Sequence, residues 1–485
     1  MCNYKNKDKK KPFIKLIKTP YGFYIFDVNT NSILKIDEGV YEYLIKLQTN
    51  NQNQETNNVS MEVLNKIKKL KYKGFLSAKR PKRMEHPQTK YLKYQLSNKI
   101  GKITLQVTQQ CNLRCSYCIY SENDNEMQRE HSDNIMSFET AKKAIDFLRK
   151  NSTDSEEINI GFYGGEPLLK FDFIKKCIKY AQKTMSGKNI TFNITTNGTL
   201  LTLDKISFLR EYDISILISL DGPKDIHDSN RKFINGEGSF EIIQENLKEI
   251  KNKYPDFSEK IGFSMVIDPE NDLNCVNQFL INYDMIKDSS VLSSLIDDKY
   301  SKEKITVNSN YVITSTYEYF KMLLSKFGKI SGKLISPISR RRYANFEMTK
   351  DHLKKMVELP DVISHSGPCV PGANRLFVDT RGNLFPCEKV SEVSNVMKIG
   401  NIEEGFKLNK VEKLLNVAKL TEDTCKNCWA LVHCTQCAAN ADNLKELSAE
   451  KKLTFCNRVK GSVLSKLKDF IALNEIKSIY NENFT

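Results

Sequence analysis

KITLQVTQQCNLRCSYC, residues 102–118, decides the fold. Its opening residues place Ile103, Leu105 and Val107 on one face, the period-two pattern of a strand. Three cysteines, Cys111, Cys115 and Cys118, follow at once, spaced by three residues and then two. Similar strand patterns recur at 158–164 (INIGFYG), 189–195 (NITFNIT), 214–220 (ISILISL) and 260–267 (KIGFSMVI). Between them, 137–150, 171–183, 202–212 and 239–252 carry apolar residues three and four apart, as amphipathic helices do. Ser137 and Ser239 stand where N-caps belong. Repeated βα units predict an α/β fold with a parallel sheet, closed into a partial (β/α)6, TIM-like barrel. Loops after the C-terminal strand ends carry the chemistry of such barrels. The cysteine run occupies the first of those loops, YGGEP (163–167) the second, TTNGT (195–199) the third and SLDGP (219–223) the fourth.

The rest of the chain bounds the reading. A length of 485 residues predicts about three domains. No apolar run is long enough for a membrane span, and the basic start MCNYKNKDKKKPF has no apolar stretch behind it. A cytoplasmic protein with no membrane partner is expected. The net charge of +15 reflects lysines spread over solvated faces, so no nucleic-acid partner is expected; KRPKR (79–83) reads as a linker. Thirteen cysteines in a chain without a secretion signal point to metal or cluster binding rather than disulfides. Ten fall into groups: the first three, then Cys369, Cys387, Cys425, Cys428, Cys434, Cys437 and Cys456. Cys177 has the helical spacing of a packed core thiol; Cys2 and Cys275 also stand apart, and His227 reads as structural.

Three thiolates can hold three irons of a [4Fe–4S] cluster and leave the fourth open, and an open position marks a catalytic centre. Zinc is the competing reading, strongest at Cys425-x2-Cys428-x5-Cys434-x2-Cys437, although zinc ribbons space their pairs farther apart. Here the residues carry a resemblance. CNLRCSYC, with Tyr117 before its last cysteine, resembles the signature of the radical S-adenosylmethionine (SAM) enzymes, and YGGEPLL, TTNGTLL and SLDGPKDIHDSNR resemble that family's later motifs. The resemblance implies that SAM chelates the open iron and is cleaved by one electron to a radical that abstracts substrate hydrogen. It implies SAM contacts at Tyr117, Gly164, Gly165, Glu166, Asn197, Ser219, Asp221 and Arg231.

The later cysteines resemble the SPASM extension of peptide-modifying relatives, which holds two auxiliary [4Fe–4S] clusters. That resemblance assigns Cys425, Cys428, Cys434 and Cys456 to one cluster and Cys369, Cys387 and Cys437, one ligand short, to the other. The spacing before Cys437 is a residue shorter than the family pattern, which leaves the split between Cys434 and Cys437 open. Glu388 follows Cys387, where relatives carry an acidic base. Residues 13–76, with strands around DVNTNS, resemble a leader-recognition element. The divisions expected are 1–97, winged-helix-like module plus linker; 98–300, radical barrel; 301–365, bridging region; and 366–485, SPASM domain. The whole resembles thioether-forming maturases of ribosomal peptides, of the sactipeptide and ranthipeptide type. Expected partners are a cysteine-containing precursor with a leader segment and an electron donor such as a flavodoxin or ferredoxin. The alternatives are a sulfatase-type maturase, a carbon–carbon cross-linking maturase, and a zinc-dependent nucleic-acid-binding protein.

Overall fold

The computed structural model describes residues 11–49, 59–121, 126–297, 299–300 and 305–480. The basic start with Cys2 and most of the polar stretch 48–58 lie outside them. Six parallel strands form the barrel wall: Lys102–Thr108, Glu157–Gly164, Asn189–Thr196, Ser215–Ser219, Gly262–Ile267 and Val291–Leu295, side by side in chain order. The first is buried on both faces, with Thr104, Gln106 and Thr108 inside as well as Ile103, Leu105 and Val107. Its polar face therefore looks into the barrel rather than into solvent.

The connecting helices follow the apolar spacing. Phe138–Lys150 buries Ala141, Ala144, Ile145 and Leu148, and Phe171–Thr184 buries Ile174, Cys177, Ile178 and Ala181. Ser137 caps the first of these, accepting from the Thr140 N–H at 3.0 Å. Ser239 does not cap its helix. Its hydroxyl donates to the Arg231 carbonyl (2.8 Å), and Asp228 accepts from the Phe240 N–H (2.9 Å) in its place.

The C-terminal region continues the barrel sheet. Leu376–Val378 runs parallel to the first barrel strand, pairing Leu376 with Ile103 and Val378 with Leu105. An antiparallel hairpin partner, Asn383–Phe385, follows it, and two short strands extend the sheet to ten. The last helix spans Cys456–Tyr480, so it begins at a cysteine, ahead of the apolar spacing that marks it from residue 463 on.

Near the N-terminus, β1 (Ile14–Thr19), β2 (Gly22–Asp27) and β3 (Ser32–Ile36) form an antiparallel meander, followed by α1 (Glu38–Thr49) and α2 (Met61–Tyr72). Asp27 fixes the turn of DVNTNS, its Oδ1 accepting from the Thr30 N–H (2.9 Å) and hydroxyl (3.0 Å). One sheet face, with Ile14 and Ile25, packs on α1 and α2. The other, with Ile17, Tyr24 and Phe26, packs on Leu431, Val463, Leu467 and Ile471. A module expected to stand apart is thus joined to the cysteine-rich region by a core of its own. KRPKR is likewise docked rather than a free linker. Lys79 and Lys82 pair with Asp361, Arg80 lies over the Phe13 ring at 3.8 Å, and Arg83–Met84 pairs with Val362–Ile363.

Candidate active site

The cysteine loop is held as a structural element. Leu113–Cys115 pairs antiparallel with Arg231–Phe233, opposing Cys115 to Arg231, so the loop after the first strand is stitched to the segment after the fourth. The Cys118 N–H donates to the Cys115 carbonyl (3.0 Å), and so does the Ser121 hydroxyl (2.8 Å). All three thiols are free, and Cys111, Cys115 and Cys118 lie close enough to act on one another electrostatically. Burial pushes Cys111 up to about 12 and Cys115 up to about 11, so metal rather than solvent would have to deprotonate them.

The second loop lies directly against the first. A Cβ on Gly164 would fall 2.2 Å from the Thr108 carbonyl oxygen, and one on Gly165 only 1.9 Å from that of Gln110. Gly164 also has a φ of 142°. The glycines are required by backbone packing on the strand that leads into Cys111. Glu166 follows, fully buried. Its Oε1 accepts from the Leu168 N–H (3.0 Å) and the Thr196 hydroxyl (2.8 Å), and its Oε2 from the Asn197 N–H (2.7 Å). Burial dominates those bonds and pushes its carboxyl up to about 6. Asn197 donates to Asn112 (2.8 Å), tying the third loop to the cysteine loop.

Arg231 and Asp221 form a buried bidentate pair (2.8 and 3.2 Å). Asp221 also accepts from the Val266 N–H (3.0 Å) and the Tyr117 hydroxyl, and the Arg231 cation lies 5.3 Å from the Tyr117 ring. The Arg231 charge also acts on Cys115, partly opposing the effect of burial there. Ser219 ends the fourth strand half-buried, opposite Ser264. His227 is a buried positioning residue: its Nδ1 accepts from the Asp221 N–H (3.3 Å), and its Nε2 lies 3.0 Å from the Ser239 hydroxyl. Bonds of Glu166 to Asn197, of Asn197 to Asn112, and of Asp221 to Arg231 and Tyr117 thus tie the four loops to one another beside the cysteine run.

Sequence reasoning missed a polar cluster beside them. Gln106 donates to Glu392 (2.7 Å), Gln109 donates to Gln106 (3.0 Å), and Arg129 pairs with Glu392 (2.7 Å). Tyr120 stacks with Arg129 at 4.0 Å, and its buried hydroxyl has no partner among the described residues. The one sequence signal was the polar face of the first strand. Glu388, the candidate base, is paired with Arg375 at 3.2 Å and acts electrostatically on both Cys387 and the half-buried Tyr163.

The seven remaining thiols divide in two. Burial raises the pKa of both Cys369 and Cys387, Cys437 adds to each shift, and Cys369 also acts on Cys387. Cys425 and Cys456 act on Cys428, while Cys425 and Cys428 act on Cys434. No three His, Cys, Asp or Glu side chains among the described residues gather tightly enough for a single metal ion.

Comparison with known proteins agrees with this geometry. Residues 105–276 match the radical SAM superfamily. An uncharacterized protein of Methanocaldococcus jannaschii is 33% identical over 330 residues, covering 68% of this chain and 94% of that one. The radical SAM cyclopropyl synthase TigE of Paramaledivibacter caminithermalis is 23% identical over 443 residues, 86% of each chain. A cysteine-type anaerobic sulfatase-maturating enzyme of Clostridium novyi is 25% identical over 353 residues, covering 68% of this chain and 86% of that one. Among solved structures, native anSMEcpe with bound AdoMet and Cp18Cys peptide aligns at a TM-score of 0.53 and 22% identity, over 78% of this chain and 99% of that one.

Proposed function

We propose, from the premise that this chain belongs to the radical SAM superfamily and is a radical SAM enzyme, that it acts on a ribosomally made peptide and closes cysteine-to-carbon thioether links. Enzymes of this family use SAM and a [4Fe–4S] cluster, which together supply hydrogen-atom abstraction. Cys111, Cys115 and Cys118 would hold that cluster, with one iron left for SAM. The chain's own residues do the positioning. The Leu113–Cys115 pairing holds the cysteine loop, Gly164 and Gly165 seat the second loop on it, and Glu166 joins the second loop to the third. Glu166, Asn197, Ser219 and the Asp221–Arg231–Tyr117 group would face SAM.

The observation that carries the thioether reading is the division of the C-terminal thiols. Cys425, Cys428, Cys434 and Cys456 make a complete ligand set for an auxiliary cluster, whereas Cys369, Cys387 and Cys437 are one short. A substrate cysteine would complete the second set and arrive as thiolate. Glu388, next to Cys387 and half-buried, would take the thiol proton. A precursor leader would add a strand along β3, which pairs only with β2 among the described residues. The similarity to sulfatase-maturating enzymes, one of them solved with a bound peptide, supports a peptide substrate.

Reduced enzyme, SAM and a cysteine-containing precursor should yield a product two hydrogens lighter per link by mass spectrometry. Unchanged mass despite SAM consumption would remove the thioether reading. Carbon–carbon bond formation is a second reading, favoured by the similarity to TigE over 86% of each chain. The same loss from a precursor whose cysteines are replaced would select it.

A further inference from the structure

Lys452, in the short helix Ala449–Thr454, is 1% exposed. Its ammonium donates to the Thr421 hydroxyl at 2.6 Å and to the Cys425 sulfur at 3.4 Å. The Thr421 hydroxyl itself lies 3.2 Å from that sulfur. Among the described residues no carboxylate pairs with Lys452, and a buried ammonium without a counter-ion is strongly unfavourable. Cys434 also feels its charge. On another side stands His365, 2% exposed, with neither ring nitrogen hydrogen-bonded among the described residues. Burial and Lys452 push that imidazole down to about 3, so it stays neutral and brings no negative charge. The groups at hand that can become anionic are the thiols.

We propose that Lys452 is the built-in counter-ion of an anionic thiolate-held centre formed by Cys425, Cys428, Cys434 and Cys456, and that its charge sets the reduction potential of that centre. The inference rests on these four cysteines holding an auxiliary cluster. A positive charge at hydrogen-bond distance from a ligand sulfur stabilises the more negative, reduced form and raises the potential. Thr421, bonded to both the ammonium and the sulfur, fixes the distance between them.

The test is a potentiometric EPR titration of the anaerobic, full-length holoenzyme, with iron and sulfide counted in parallel. Lys452→Met should keep its iron yet lower the ratio of reduced to oxidised centre at least tenfold at the wild-type midpoint, equivalent to about 59 mV for one electron. Lys452→Arg should restore the wild-type value, and the barrel-mouth signal should not move in either. Loss of auxiliary iron in Lys452→Met that is recovered in Lys452→Arg supports the same role. Retained iron with an unshifted midpoint, or equal iron loss in both variants, overturns it. Wild-type protein carrying iron only at Cys111, Cys115 and Cys118 would instead overturn the auxiliary-cluster reading on which it stands.

Discussion

Gly165 shows how far a single residue controls the site, because the atom it lacks would sit 1.9 Å from the Gln110 carbonyl oxygen. Gly165→Ala must push apart the two loops that hold Cys111, at a cost of about 3 kcal/mol. Urea unfolding should show that loss together with reduced iron retention. Gly101→Ala, where nothing lies within 4 Å, should leave both unchanged. The Asp221–Arg231 pair is a second control point. Asp221→Asn strands a buried guanidinium and should cost roughly 3–5 kcal/mol in the same assay. His227 adds a pH dependence. Burial and Arg231 hold its pKa down to about 4, so below the ordinary histidine range the unfolded chain binds a proton that the folded chain refuses. Stability contributed by neutral His227 is complete above about pH 6.5 and is lost as pH falls toward 4, by about 1.4 kcal/mol per pH unit. His227→Gln should flatten that part of the stability profile; an identical slope would contradict the assignment.

At the scale of elements, alternation in the sequence was a good guide to the barrel, because its strands are long and follow helices with clear apolar stripes. Leu376–Val378 escaped as a barrel neighbour because three residues carry no usable period, and pairing with the first strand is a tertiary fact. The cluster of Gln106, Gln109, Arg129 and Glu392 escaped for a related reason: Gln106 and Glu392 are 286 positions apart and share no motif. Ser239 was misread because its neighbour Asp228 reaches the helix end first. The N-terminal sheet was legible in its strands but not in its second packed face. Glu475 in the last helix accepts from Thr19 and from the buried Tyr24 hydroxyl, both at 2.7 Å. Glu475→Ala leaves that hydroxyl unpaired and should weaken the docking by about 2 kcal/mol. Limited proteolysis should then release the N-terminal segment sooner than in the wild type, while barrel fragments persist unchanged.

Across the whole molecule, the barrel and the cysteine-rich region share one ten-stranded sheet, and the N-terminal sheet shares a core with that region. Peptide docking, hydrogen abstraction and thiol capture would therefore take place on connected surfaces. The central claim is that the three barrel-mouth thiols leave one iron for SAM. The most direct measurement is the EPR spectrum of the reduced, anaerobically reconstituted protein before and after SAM is added. The account predicts a cluster signal that changes with SAM and disappears when Cys111, Cys115 and Cys118 are replaced by alanine. A signal that survives that replacement intact, or one indifferent to SAM, would contradict it.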